Sequence, residues 1–158
     1  MGHDAERQVN PPAACCGIDP GREKFGLAVG NTDELIFSAI APVLEFETAV
    51  LCIARGDFRS METLALEGIP PRGLKIQRVF LGGGTGHRLF SERLDEGGVN
   101  HIVVSERETT LEGRGLYWRL HPPSGLWRLV PRSLRTPPRP VDDMAAWAII
   151  ARGIANIY

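Results

Sequence analysis

Four absences narrow what this chain can be. It holds no window of about 18 apolar residues, which excludes a membrane-spanning helix and points away from a membrane partner. Its opening, "MGHDAERQVNPPAA", lacks a basic stretch followed by an apolar core and does not read as a secretory signal. Residues 1–13 are expected to be a disordered lead-in. The three cysteines, Cys15, Cys16 and Cys52, are odd in number and lack C-x-x-C spacing. They argue for neither a disulfide framework nor a zinc site, and buried thiols in a reducing cytoplasm are the expectation. A net charge of −1 over 158 residues leaves no excess of either sign to select a partner.

What is present suits one α/β domain over residues 14–158, because 43% hydrophobic content is enough for a real core at this length. "AACCGID" reads as a buried strand bounded by Pro12 and Pro20-Gly21, and "KFGLAVG" follows closely enough to close a hairpin. "LIFSAIAPV" adds a third strand, so the first three form an antiparallel meander. The stretch from Leu44 to Gly68 carries apolar residues at three- and four-residue steps and predicts an amphipathic helix, interrupted near Gly56. "LKIQRVFLGGG" is a fourth strand. A helix capped by Thr85 and Gly97 follows it, and "NHIVVSER" is a fifth strand. "ETTLEGRGLYWRL" is partly helical, and "VDDMAAWAIIARGIANIY" is a final helix with carboxylates in its first turn. The order predicts a five-stranded mixed sheet flanked by helices, with no internal repeat.

Three acidic positions stand where this layout would bring them together. Asp19 ends the first strand, Glu106 ends the fifth, and Asp142 opens the last helix with Asp143 beside it. Parallel strands present their C-terminal ends on one edge, where sites of open α/β sheets lie. Carboxylates converging there repel one another unless a hard cation neutralises them, and oxygen-only ligands suit Mg²⁺ or Mn²⁺. Singly, each also has an ordinary reading: Asp19 as a turn former, Glu106 as a solvated strand exit, Asp142 and Asp143 as helix starters.

Residues 113–140 carry six arginines, Arg114, Arg119, Arg128, Arg132, Arg135 and Arg139, and no acidic residue, with Tyr117, Trp118 and Trp127 between them. Arginine holds phosphate through paired hydrogen bonds and exposed aromatics stack on unpaired bases, so nucleic-acid contact is one reading. The other puts the tryptophans in the core and the arginines on a solvated rim. His87 and His101 read as structural.

Three stretches resemble the YqgF/RuvX-like proteins, Holliday-junction resolvases or pre-ribosomal-RNA nucleases of the RNase H-like superfamily. "GIDPGREKFGLAV" is similar to that family's opening strand ending in D-x-G and the hairpin after it. "SERETTLEGR" keeps Glu106, Arg107, Thr109, Thr110 and Glu112 of its D-E-R-x-[ST]-T-x-E-A stretch, and "VDDMAAWAII" is similar to its last helix. The matches occur in order across residues 15–158. The resemblance implies an RNase H-like fold and a divalent-metal nuclease, with Asp19, Glu106 and Asp142 as the acidic site. It adds Asp143 as a substitute, since related RuvC resolvases also use carboxylates in this helix. Arg107 and the arginines of 113–140 would then hold phosphate. A homodimer is expected wherever a junction is cut symmetrically. Two departures stand out: Ser105 occupies the place of an acid, and "LGGGTGHR" replaces a G-L-P-x-x-x-D-G loop.

Three functions follow as expectations. The first is a Mg²⁺- or Mn²⁺-dependent endonuclease acting on junction DNA or structured precursor ribosomal RNA. The second is a relative with a degenerate site that binds nucleic acid without cutting it. The third takes "GIDPGREKFGLAV" and "FLGGGTG" as phosphate loops of an actin-like or sugar-kinase fragment.

Overall fold

A computed structural model describes residues 13–158, so the expected lead-in, apart from Ala13, lies outside the described residues. The meander forms as expected. Strands β1 (Ala14–Asp19), β2 (Lys24–Gly30) and β3 (Leu35–Pro42) pair antiparallel, with Asp19 opposite Gly26 and Gly26 opposite Ile40. The remaining strands are β4 (Ala65–Gly68), β5 (Ile76–Gly82) and β6 (Ile102–Val104). Strand β5 runs parallel to β1, and β6 runs parallel to β5. The C-terminal ends of β1, β5 and β6 therefore share one edge of the sheet.

The sheet has six strands rather than the expected five, in the order β4-β3-β2-β1-β5-β6. The sixth comes from the stretch expected to be helical. Helix α1 (Phe46–Arg55) stops at Gly56, which adopts the left-handed conformation (φ 64°) that closes a helix end. Phe58 and Met61 still reach the core, but through a 3-10 turn over Arg59–Leu64. The chain then lays Ala65–Gly68 along β3. Without this strand the backbone groups on that side of β3 would be left unpaired, and tertiary pairing overrides the helical spacing.

Alternating side chains fill two separate cores, one on each face. Cys16, Ile18, Phe25, Leu27 and Val29 point toward α1 and α2 (His87–Glu96). Phe25, Phe46 and Phe90 meet there edge to face, with centroids 4.4–5.9 Å apart. Cys15, Ala28 and Phe80 face α3 (Thr109–Leu120) and α4 (Asp142–Ile157), against Tyr117, Met144 and Trp147. The Trp147 indole N–H donates to the Asn31 carbonyl at 2.7 Å, which satisfies its one buried polar atom. All three cysteines are buried and free.

Two smaller expectations change. Thr85 does not cap α2: the chain turns through Gly86 (φ 83°), which takes the cap position and leaves Thr85 outside the first turn. Strand β6 is not buried throughout. It is the last strand of the sheet, and Ile102 and Val103 are exposed.

Candidate functional site

Helix α4 reaches the acidic edge because two glycines let it lie directly on the sheet. A side chain at Gly17 would collide with the Ala146 carbonyl, and one at Gly26 would collide with the Asp142 carbonyl. Since Gly26 is the register partner of Asp19, this contact carries the first turn of α4 to the end of β1. Asp19 and Asp142 line one cleft of about 260 Å³, together with Thr110, Arg114, Thr136 and Arg139.

Glu106 reaches the same place from β6. Its carboxylate lies against the glycine loop after β5, where a Cβ at Gly82 or Gly84 would overlap its oxygens. What these glycines do is make room for a carboxylate. No local sequence signal links them to Glu106, since the two meet only through β5–β6 pairing. The loop's occupancy by an anion also removes the ground for a phosphate-binding loop here. Ser105, where the resemblance expects an acid, accepts a hydrogen bond from the Arg107 N–H at 3.4 Å and acts as a turn residue. Glu108 then takes the left-handed conformation (φ 70°), an uncommon one for a residue with a side chain, as α3 begins.

The electrostatics of this edge are unrelieved. Asp19 is pushed up to about 8, first by burial, then by the charge of Glu106, then by a hydrogen bond shared with the Glu106 carboxyl group, and last by the charge of Asp142. Glu106 Oε1 is buried with no hydrogen-bond partner, although a carboxylate oxygen can accept two. Asp142 has one counter-charge, the Lys24 ammonium at 3.2 Å, and both groups are partly exposed. Among the described residues no group of three acidic, histidine or cysteine side chains is close enough to form a finished metal cage. The donors nevertheless fit a hard dication: they are oxygen only, one is orphaned, and one is held protonated by its neighbours.

Asp143 is a correction to the expected ligand set. It is fully buried and turned away from the cleft into an ion-pair network. Ser38 Oγ donates to its Oδ2 at 2.6 Å, and Arg139 donates to both carboxylate oxygens at 2.8 and 3.2 Å. Arg139 also donates to Glu67 Oε1 at 2.9 Å, and His121 Nε2 donates to the same atom at 2.6 Å. Consecutive residues on a helix project about 100° apart, so Asp142 and Asp143 cannot face the same site. With both oxygens partnered inside the fold, Asp143 is structural.

The six arginines are also not equivalent. Arg139 is countered by Asp143, four residues on, and by Glu67, far away in sequence. Arg135 donates to the carbonyls of Val130 and Arg128, and Arg128 donates to that of Pro123. Arg119 lies over the Trp147 ring, 5.0 Å from its centroid. Among the described residues, the Arg107, Arg114 and Arg132 guanidinium groups have no hydrogen-bonding or ionic partner; all three are exposed, and Arg114 reaches the acidic cleft. Trp118 is half-buried, but Trp127, which the core reading placed inside, is 52% exposed.

His87 and His101 both make local hydrogen bonds. His87 contacts the Gly84 carbonyl at 3.0 Å, and His101 bridges Ser91 Oγ (2.7 Å) and the Val99 carbonyl (3.2 Å). A roomier hollow of about 340 Å³ lies elsewhere, beside Cys52 and Ser60. Burial pushes the Cys52 thiol up, so it is no nucleophile at neutral pH.

No protein-family model matches the chain, and no curated protein does. Among solved structures it is similar to RuvC of Thermus thermophilus, at 17% identity and a TM-score of 0.45, over 91% of this chain and 96% of that one. So loose an overlap leaves the site to be read from its own residues.

Proposed function

We propose that residues 14–158 form an RNase H-like domain of the YqgF/RuvX-like kind, a cytoplasmic metal-dependent endonuclease for structured nucleic acid, whether junction DNA or folded RNA. The observation that carries this reading is the convergence of Asp19, Glu106 and Asp142 on one sheet edge, with Glu106 Oε1 buried and unpartnered. These three would hold Mg²⁺ or Mn²⁺, which supplies an activated water and neutralises charge at a phosphodiester. Asp19 gives up its proton when it takes on that role. Gly82 and Gly84 keep the Glu106 carboxylate at the edge. Lys24 restrains Asp142 until the cluster is complete. Thr110, Arg114 and Thr136, on the same cleft, are placed to hold phosphate oxygens by hydrogen bonds.

The test is cleavage of junction DNA and precursor ribosomal RNA by the purified chain, with Mg²⁺, with Mn²⁺ and with chelator. Metal-dependent cutting that falls more than about a hundredfold in Asp19→Asn is expected. Absence of cutting with every substrate and metal would overturn the proposal. The second reading, a binding protein with a degenerate site, is favoured by Ser105 and by the lack of a finished cage among the described residues. Salt-sensitive binding without cleavage would select it.

A further inference from the structure

Beside the acidic cleft runs a second groove of about 210 Å³, lined by Leu111, Arg114, Gly115, Trp118, Arg132 and Arg135. Arg114 lines both hollows, so they are neighbours. The groove is smaller than the roughly 300 Å³ of a typical small-molecule pocket, so it admits one planar ring system rather than a whole free nucleotide.

Its walls have two chemistries. Leu111 (66% exposed), Gly115 and the half-buried Trp118 provide an apolar floor on one side of α3. Arg114 and Arg132, without partners among the described residues, stand over it. The opposite wall is rigid. Trp118 Nε1 donates to the Arg135 carbonyl at 3.4 Å, and Arg135 in turn ties down the carbonyls of Arg128 and Val130. That bracing holds the neighbouring 3-10 turn, Gly125–Leu129, with Leu126, Trp127 and Leu129 exposed. With Arg114, Arg132 and Arg135 among its lining residues and no carboxylate there, charge complementarity selects a polyanion over an acid-bearing or neutral peptide. An apolar slot under unpaired guanidinium groups fits a base with its phosphates. A duplex keeps its bases stacked and cannot supply one.

We propose that this groove is a subsite for an unpaired nucleotide, so that the chain acts where a duplex opens into a single strand next to the scissile phosphate. The base lies on Leu111 and Trp118, and Arg114 and Arg132 hold the phosphates on either side. The subsite rests on the nuclease reading for its purpose, but its binding needs no metal.

The experiment measures binding by fluorescence anisotropy in chelator, using the full chain with three labelled probes: a blunt DNA duplex, the same duplex with a single-stranded thymidine tail, and an RNA duplex with a uridine tail. One stacked base should make a tailed probe bind about tenfold tighter than the blunt one. The preferred tail identifies the source as DNA or RNA. Leu111→Ala, at an exposed position and with no change of charge, should remove most of that increment and leave blunt-duplex affinity unchanged, and Arg132→Ala, which also removes a cation, should weaken the tailed probe more than the blunt one. Circular dichroism confirms that both variants fold. Trp127→Phe should keep the tail-dependent quenching of tryptophan fluorescence, because Trp118 lines the groove. No increment with either tail, an increment that survives both variants, or equal losses on blunt and tailed probes would overturn the subsite. An increment that behaves as expected in a chain that never cuts supports the subsite and overturns the nuclease reading alone.

Discussion

Two carboxylate clusters lie side by side at the start of α4, and they are built on opposite terms. Asp143 is fully buried yet satisfied, with Arg139 on both oxygens and Ser38 on one. Burial alone would raise the Glu67 carboxyl, but hydrogen bonds from His121 and Arg139 outweigh it and hold it below its usual value. Asp19 and Glu106 are partly buried, Glu106 Oε1 has no partner, and Asp19 is pushed up to about 8. One cluster offsets its desolvation internally, while the other leaves charge and an orphan oxygen that a cation from outside can relieve. Adjacent aspartates thus divide between a buried ion-pair network and an open cleft, and the roughly 100° step of the helix between them makes the division.

The sharpest way to break this comparison is to remove an acid from each cluster. Asp143→Ala leaves the half-buried Arg139 guanidinium with Glu67 as its one counter-charge and the Ser38 hydroxyl without its acceptor, and a loss of about 3 kcal/mol is expected in urea denaturation. Asp19→Asn should act in the opposite direction. The folded-state pKa of Asp19 lies above its ordinary value of 3.8. The protonated form therefore adds stability that is fully present below about pH 4 and is lost as pH rises through about 8. The stability of the metal-free protein should fall by roughly 1.4 kcal/mol for each pH unit between about pH 4 and 8 and level off above, as read by thermal melts across that range. Asp19→Asn should flatten that fall, and a flat wild-type profile would show that the cluster is not strained.

Adding Mn²⁺ sharpens the contrast, because the metal must displace the Asp19 proton. The stabilisation it gives should be larger at pH 8.5 than at pH 6.5 and absent in Asp19→Asn. Gly82→Ala forces a methyl group into the space of the Glu106 carboxylate. A cost of about 1–3 kcal/mol and loss of the Mn²⁺ response are expected by calorimetry, with Asp143 untouched. The smallest effect belongs to Lys24→Gln. Its ion pair with Asp142 is partly solvated, so stability should move by no more than about 1 kcal/mol.

Much of this was legible in advance. The meander follows from apolar runs broken by Pro20-Gly21 and by the polar turn after Gly30. The convergence of Asp19, Glu106 and Asp142 follows from their positions at strand ends and at a helix start. What was missed has a common cause. The Leu44–Gly68 stretch has helical spacing, but a short strand there covers the open side of β3. The six arginines look uncountered in sequence because the acids that hold Arg139 lie at position 67 and in the next helix.

Local chemistry determined which segments are apolar, where they turn and which acids end them, because those properties depend on residues a few positions apart. The tertiary structure alone decided that Asp143 is a structural acid, that Gly82 and Gly84 shelter Glu106, and that Arg114 and Arg132 stay unpaired among the described residues. Each of these depends on which groups burial brings within a few ångströms, and for the groups that decide them those neighbours are set by strand pairing and helix packing rather than by sequence distance.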